Sequence, residues 1–135
     1  MAKKRKEQAR VLAQKQLASG IYDCLLETTL AKEAKPGQFI ALYPKDKSTL
    51  LPRPISICEA DAEKDTLRIV YRVVGAGTEE FSRLKEGDTV DILGVLGNGF
   101  PLDQVREDQT AFLMGGGIGV PPILELSKRL NCRKQ

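Results

Sequence analysis

The chain has 135 residues, of which 41% are hydrophobic and 29% are charged, and its formal net charge is +3. This length suits one ordinary domain with its own core, and these proportions are typical of a globular protein. The sequence contains no histidine, which excludes Ser-His-Asp and Cys-His catalysis and nearly all zinc enzymes.

Cys24, Cys58 and Cys132 are far apart in the sequence and form no C-x-x-C pair. Without a signal peptide, such scattered cysteines are typical of reduced thiols in a cytosolic protein. No apolar run approaches the ~18 residues that a membrane helix needs. We therefore expect a cytoplasmic protein with no membrane contact, whose redox chemistry, if any, comes from a bound cofactor.

Basic residues cluster at both ends of the chain. A nucleic-acid surface would interleave such residues with aromatic ones, and no aromatic residue lies in these segments. We therefore predict no nucleic-acid partner and solvated ends, with residues 1–10 forming a basic, frayed tail.

The chain up to residue 105 is composed mostly of short apolar runs separated by turn residues, a pattern that predicts β-strands. The predicted strands are 11–17, 21–27, 38–43, 55–59, 66–74 and 89–93. Short helical segments are predicted at 30–34 and from Thr78, as N-cap, to Leu84. Leu67, Ile69, Tyr71 and Val73 share one face of the clearest strand. Six closely spaced strands predict a mainly β fold, a closed antiparallel barrel over residues 11–105 without exposed sheet edges.

Residues 106–135 differ in character from the rest of the chain. Ala111–Met114 is predicted as a strand, Gly115-Gly-Gly-Ile-Gly119 as a turn, and Val120–Leu130 as an amphipathic helix. Strand, turn and helix open a parallel α/β unit, and one such unit cannot cover its strand on both sides. We therefore predict that this segment is the start of a truncated α/β domain.

Two segments of the barrel could bind a phosphate. Arg53 lies between prolines, in an extended segment that presents its fork of donors, and Ser56 offers a small hydroxyl to a planar ring. The alternative is an ordinary loop with a surface arginine. Gly75-Ala-Gly77-Thr78 allows close backbone approach at a helix N-terminus. The alternative there is a plain helix start, because Glu79 and Glu80 would repel an anion.

Two further glycine-rich segments could shape a binding site. Gly94-Val-Leu-Gly-Asn-Gly-Phe100 could form a pocket wall or a simple hairpin turn. The Gly115–Gly119 turn resembles a dinucleotide loop, but its spacing is G-G-G-x-G instead of G-x-G-x-x-G. The order of the four segments is far more specific than any one of them.

Taken in order, the four segments resemble the ferredoxin-reductase-like flavoproteins. Within that family the chain is most similar to the N-terminal part of the electron-transfer subunits of type B, NAD-dependent dihydroorotate dehydrogenase. The resemblance runs from about Val11 to the end of the chain. It implies a six-stranded Greek-key barrel that binds FAD, followed by the first strand, turn and helix of an NAD-binding domain.

The R-P-x-S strand and the G-x-G-T helix start cradle FAD in that family. The resemblance thus implies that Arg53 holds the pyrophosphate, Ser56 lies near the reactive edge of the ring, and Gly77 with Thr78 donates to the phosphates. The other implied FAD-binding residues shape the site or line the ring and ribityl chain: Pro54, Ile55, Val70, Tyr71 and Arg72.

The resemblance also implies a function in pyrimidine biosynthesis. Electrons from dihydroorotate oxidation would pass from an FMN-containing catalytic subunit, the partner in a heterotetramer, through a [2Fe-2S] cluster and FAD to NAD. The family's cysteine-rich cluster segment has no counterpart in this sequence, and Cys132 alone cannot replace it. We therefore expect this chain not to be competent alone.

Two alternative functions stay open at this point. One is the flavin subunit of an NADH-dependent ferredoxin:NADP oxidoreductase, which has a related flavin site. The other is a non-enzymatic β-barrel that binds protein partners and no flavin.

Overall fold

The computed structural model describes residues 4–132. Its body is a closed, antiparallel barrel with the strand order β1-β2-β5-β4-β3-β6, which confirms the predicted fold class. The strands are β1 (Arg5–Ala18), β2 (Ile21–Glu27), β3 (Phe39–Tyr43), β4 (Arg53–Asp61), β5 (Thr66–Arg72) and β6 (Thr89–Leu96). The helices are α1 (Ala76–Phe81) and α2 (Pro121–Cys132), and 3₁₀ turns span Thr29–Lys32, Leu102–Gln104 and Gly117–Gly119.

The barrel interior is filled by the alternating side chains of its strands. Leu67, Ile69 and Tyr71 of β5 are buried in the core, as the period of two predicts. Phe81 at the end of α1 joins this core and meets the Tyr71 ring edge-on, with ring centroids 6.5 Å apart. Because side chains fill the interior, a ligand of the barrel must bind on its outer surface.

The first strand begins earlier than expected. Residues from Arg5 to Arg10 pair with β6, from Arg5↔Gly94 to Arg10↔Thr89, so the prediction of a frayed tail is wrong for this segment. Barrel closure explains the difference, because β1 must pair with both β2 and β6 and needs its full 14 residues to do so. Residues 1–3 lie outside the described residues.

The start of α1 also differs from the prediction. Gly75 is the N-cap, in extended conformation, and Thr78 is the third residue of the helix. The Thr78 Oγ1 accepts hydrogen bonds from the backbone amides of Val74, at 2.9 Å, and Gly75, at 3.1 Å. The threonine therefore stabilises the helix start from the third position of the helix, by accepting from the N-cap amide, and is not itself the N-cap residue.

The C-terminal segment combines a confirmed helix with an unformed strand. The predicted helix is α2, which packs on the barrel through the buried side chains of Glu125 and Leu126. Ala111–Met114 is not a strand, and no strand of the described chain pairs with its backbone. Within residues 4–132 no helix is long and apolar enough to cross a membrane.

Candidate functional site

The candidate site lies on the outer face of β4 and β5. Strand alternation turns Pro54 and Ser56 outward on β4, where both are exposed, and Val70 and Arg72 outward on β5. β3 pairs with β4 only between Arg53 and Ser56. This arrangement places four of the predicted FAD-binding side chains on the outside of the barrel.

A cavity of about 450 Å³ opens between this face and the segment that leads into α2. Val70 and Arg72 form one wall, Cys58 of β4 adjoins them, and Ile118 and Pro121 form the opposite wall. The lining is mainly apolar, with arginine as its charged component, and the volume falls in the range of ~300–1,000 Å³ that ligand pockets have. Such a cavity suits a flat ring with a polar edge.

Arg53 lies against the helix start. A Cβ atom added to Gly77 would stand 2.8 Å from Arg53 Nε, so only glycine allows the guanidinium to approach this close. Arg53 Nη1 donates a hydrogen bond to the carbonyl oxygen of Leu51 at 2.6 Å, which fixes the side chain. The first backbone amides of a helix have no acceptor within the helix. The start of α1 therefore brings such amide donors next to the Arg53 guanidinium, a combination that suits a phosphate.

The acidic residues of α1 are occupied by other contacts. The Glu80 carboxylate accepts hydrogen bonds from the backbone amides of Lys45, at 2.7 Å, and Asp46, at 3.0 Å. Glu79 forms an ion pair with Arg83, at 3.8 Å. Glu80 therefore anchors the loop between β3 and β4, and the repulsion expected from these two carboxylates is partly neutralised.

Three of the predicted site residues turn their side chains away from the site. Ile55 and Tyr71 are in the barrel core, and the Tyr71 hydroxyl donates to Gln14 Oε1 at 2.6 Å. Burial raises the pKa of Tyr71 well above its ordinary value. The Thr78 hydroxyl is engaged in the helix start. These residues have only backbone groups to offer a ligand, and their part in cofactor binding stays a prediction.

The structure adds residues that sequence reasoning missed. Cys58 lines the cavity, although its spacing indicated only a reduced thiol, and burial raises its pKa. Ile118 lies in the Gly115–Gly119 turn, so the glycine pattern was a signal for it. The other glycine-rich loop packs elsewhere: the Phe100 amide donates to the Pro36 carbonyl oxygen at 2.8 Å. Among the described residues no group of three acidic or cysteine side chains could hold a metal ion.

No protein-family model matches the chain. The chain is 50% identical over 129 residues to the electron transfer subunit of dihydroorotate dehydrogenase B (NAD(+)) of Enterococcus faecalis strain V583, covering 95% of this chain and 49% of that protein. It is 46% identical over 130 residues to the subunit of the same name from Lysinibacillus sphaericus, covering 96% and 51%. The chain thus spans about half the length of these relatives.

A solved structure shows the same fold. It is that of an NADH-dependent reduced ferredoxin-NADP oxidoreductase, described as a flavin-based electron-bifurcating enzyme, with a TM-score of 0.82 and 30% identity. The match covers 91% of this chain and 44% of that one. These comparisons confirm the resemblance to ferredoxin-reductase-like flavoproteins that the four motifs indicated.

Proposed function

We propose that this chain is the flavin-binding half of the electron-transfer subunit of an NAD-dependent dihydroorotate dehydrogenase. The observation that carries the proposal is the contact of Arg53 with the bare backbone of Gly77, on a barrel face whose strand β5 lines an apolar cavity through Val70 and Arg72. The 50% identity to a subunit of that name supports the same assignment. The ligand of the cavity and the arginine would be FAD.

The residues of the outer face fit FAD. Arg53 would bind the pyrophosphate together with the amides at the start of α1, because a fixed guanidinium and helix-terminal donors match phosphate oxygens. Ser56, Val70 and Arg72 would orient the ring, and Ile118 with Pro121 would exclude water from it. When bound, FAD would supply both one-electron and two-electron redox chemistry. The chain itself contributes position and electrostatics.

The complete subunit needs more than this chain. In our proposal residues up to 105 form the FAD domain, and residues 106–135 begin the NAD-binding domain. NAD and the [2Fe-2S] cluster would bind to the other half of the subunit, since the matched relatives are twice as long. The partner would be the FMN-containing catalytic subunit, in a heterotetramer that passes electrons from dihydroorotate to NAD.

The second candidate function is the flavin subunit of a bifurcating ferredoxin-NADP oxidoreductase. The structural match with a TM-score of 0.82 favours it. The identity to that protein is 30%, against 50% for the dihydroorotate dehydrogenase subunit, so the first assignment has the stronger support. A barrel that only binds proteins would leave the apolar cavity and the Arg53–Gly77 contact without a purpose.

Cofactor binding tests the first step of this proposal. The purified chain should be yellow, or should retain flavin absorbance after incubation with FAD and removal of free flavin by gel filtration, and heat-released cofactor should run as FAD on chromatography. Binding of FMN alone would contradict the pyrophosphate site. A chain that retains neither flavin after gel filtration would favour the non-enzymatic alternative.

Co-expression tests the pathway. The chain, tagged, should retain the catalytic subunit of the E. faecalis enzyme on an affinity column if the partner surface lies in this half. Retention of the bifurcating enzyme's partner subunit instead, in a parallel experiment, would favour the second candidate.

A further inference from the structure

A pair of exposed leucines lies next to the Arg53–Gly77 contact. Leu50 and Leu51 are 80% and 72% exposed. Scattered single hydrophobic residues are normal on a protein surface, but adjacent exposed ones beside a charged site can mark a binding surface. They precede Arg53 in the chain, whereas the cavity adjoins the part of β4 that follows Arg53, at Cys58.

The loop that carries these leucines is ordered by its own hydrogen bonds. Glu80 of α1 holds the amides of Lys45 and Asp46. Asp46 Oδ1 accepts from the amide of Ser48 at 2.9 Å and from its hydroxyl at 2.8 Å. At the other end, the Leu51 carbonyl accepts from Arg53. Both ends of the loop are therefore held in place, which lowers the cost of ordering the leucines between them on a ligand.

We propose that Leu50 and Leu51 form the platform for the adenosine half of FAD. This inference rests on the proposed function. It adds a binding surface for the adenosine, whereas the cavity would hold only the flavin ring. The pyrophosphate joins the flavin half of FAD to its adenosine half. With the pyrophosphate at Arg53 and the ring in the cavity next to Cys58, the adenosine would leave Arg53 on the side of Leu50 and Leu51.

The distances along the chain agree with this placement. Ser56 and Leu50 are each three residues from Arg53, in opposite directions, and three extended residues span at most about 10 Å. The reach of the chain thus places Leu50 and Leu51 within the distance that an adenosine covers from its phosphate. The flat, largely apolar faces of adenine match aliphatic side chains, because pockets for such groups are lined mainly by apolar residues.

The test compares flavins that differ in the adenosine. The double variant Leu50→Ala/Leu51→Ala and the unchanged chain are titrated with FAD and with FMN, and the dissociation constants are measured by fluorescence. We expect roughly tenfold weaker FAD binding in the variant, from lost apolar contact area, and unchanged FMN binding. Phe112→Ala is the control, since Phe112 is 92% exposed and lies outside the loop.

The outcomes separate this inference from the proposed function. If the unchanged chain binds no FAD, the proposed function fails and this inference fails with it. If it binds FAD and the double variant binds FAD equally well, this inference alone is overturned, and the leucines stay exposed as a protein partner would require. A thermal midpoint within about a degree of the unchanged chain's shows that the exposed substitutions leave the fold intact.

Discussion

The carboxylate of Glu125 on α2 accepts a hydrogen bond from the backbone amide of Ala60 on β4, with Oε1 and N 3.0 Å apart. Ala60 lies beyond the part of β4 that pairs with β3, so the helix provides the acceptor that the sheet does not. Glu125 is only 5% exposed, and its other oxygen accepts from Arg129 Nε at 2.7 Å. This contact holds α2, and with it one wall of the cavity, against the barrel.

Replacing Glu125 should therefore destabilise the chain. Glu125→Ala leaves a partly buried amide without its acceptor, and we expect the free energy of unfolding to fall by ~1–3 kcal/mol. Glu125→Gln keeps a carbonyl acceptor and should lose less. The measurement is urea unfolding, with Glu86→Ala, at an exposed position, as the control. Equal stabilities for Glu125→Ala and Glu86→Ala would contradict the role of the Ala60 contact.

Arg53→Ala should weaken FAD binding far more than Arg10→Ala. A charge-assisted hydrogen bond to phosphate contributes ~1.5–3 kcal/mol, or roughly ten- to a hundredfold in affinity. Arg10 is a suitable control because it is exposed on β1, whereas Arg5 is bonded to Glu33 and its loss would disturb the fold. Fluorescence titration measures both affinities, and equal values would show that Arg53 does not contact the cofactor.

Gly77→Ala tests the close approach of Arg53. The added methyl group would lie 2.8 Å from Arg53 Nε and displace the guanidinium, so we expect FAD affinity to fall about tenfold, the lower end of the arginine effect. Unfolding should change little, because alanine favours the helix more than glycine does. Gly75→Ala adds a methyl to the same turn with no atom within 4 Å. A larger affinity loss in Gly75→Ala than in Gly77→Ala would refute the steric argument.

Glu59 gives the stability of the chain a pH dependence. Burial alone would raise the pKa of Glu59, but hydrogen bonds from Lys128 and Arg68 outweigh it, so the pKa is below its ordinary 4.5. The stabilisation is present above that ordinary value and is lost as the pH falls through the lowered pKa. Urea unfolding on either side of 4.5 should show stability decreasing with acid.

Glu59→Gln is the variant that isolates this effect. Its stability should decrease less steeply with acid than that of the unchanged chain. The slope should not vanish, because the pKa of Glu7 is also lowered: burial opposes the shift, and hydrogen bonds from Thr28, Thr29 and Arg5 outweigh it. Identical slopes for the variant and the unchanged chain would mean that Glu59 does not contribute.

The FAD-loaded chain should react only slowly with NADH. Hydride transfer needs the nicotinamide held about 3–3.5 Å from its acceptor, and positioning can contribute ~7–11 kcal/mol to such a barrier. In our proposal the residues that hold the nicotinamide belong to the part of the relatives that this chain does not span. Anaerobic mixing with NADH, followed by flavin absorbance, is the measurement. Fast, saturable bleaching would place the nicotinamide site within these 135 residues.

Local patterns predicted the barrel well and its surroundings less well. The alternation of β5 placed Tyr71 on the inner face, and the structure puts its side chain there, although the family resemblance assigned it to the cofactor site. Alternation predicts the direction of a side chain, but it does not say whether the backbone of the same residue contacts a ligand. The predicted residues Arg53 and Gly77 do meet, because glycine leaves room for the arginine.

Other features depend on contacts between distant segments, which a single sequence does not reveal. The pairing of Arg5 with Gly94 follows from barrel closure, not from the polar pattern of the first residues. Ala111–Met114 has the composition of a strand, but a strand forms only where another strand pairs with it, and none does so in the described chain. The charge of Glu80 suggested repulsion of an anion. Its hydrogen bonds to the loop after β3 could not be foreseen from sequence spacing.

The alternation of β4 separates two kinds of constraint on one strand. Ile55 and Ile57 are constrained by stability, since a smaller side chain at either position would leave a cavity in the core. Pro54, before Ile55, and Ser56, between the two isoleucines, are exposed. Their side chains therefore contribute little to the packing of the core. Mutation can therefore change the chemistry of the outer face while the barrel stays as stable as before, so one scaffold can serve many electron carriers.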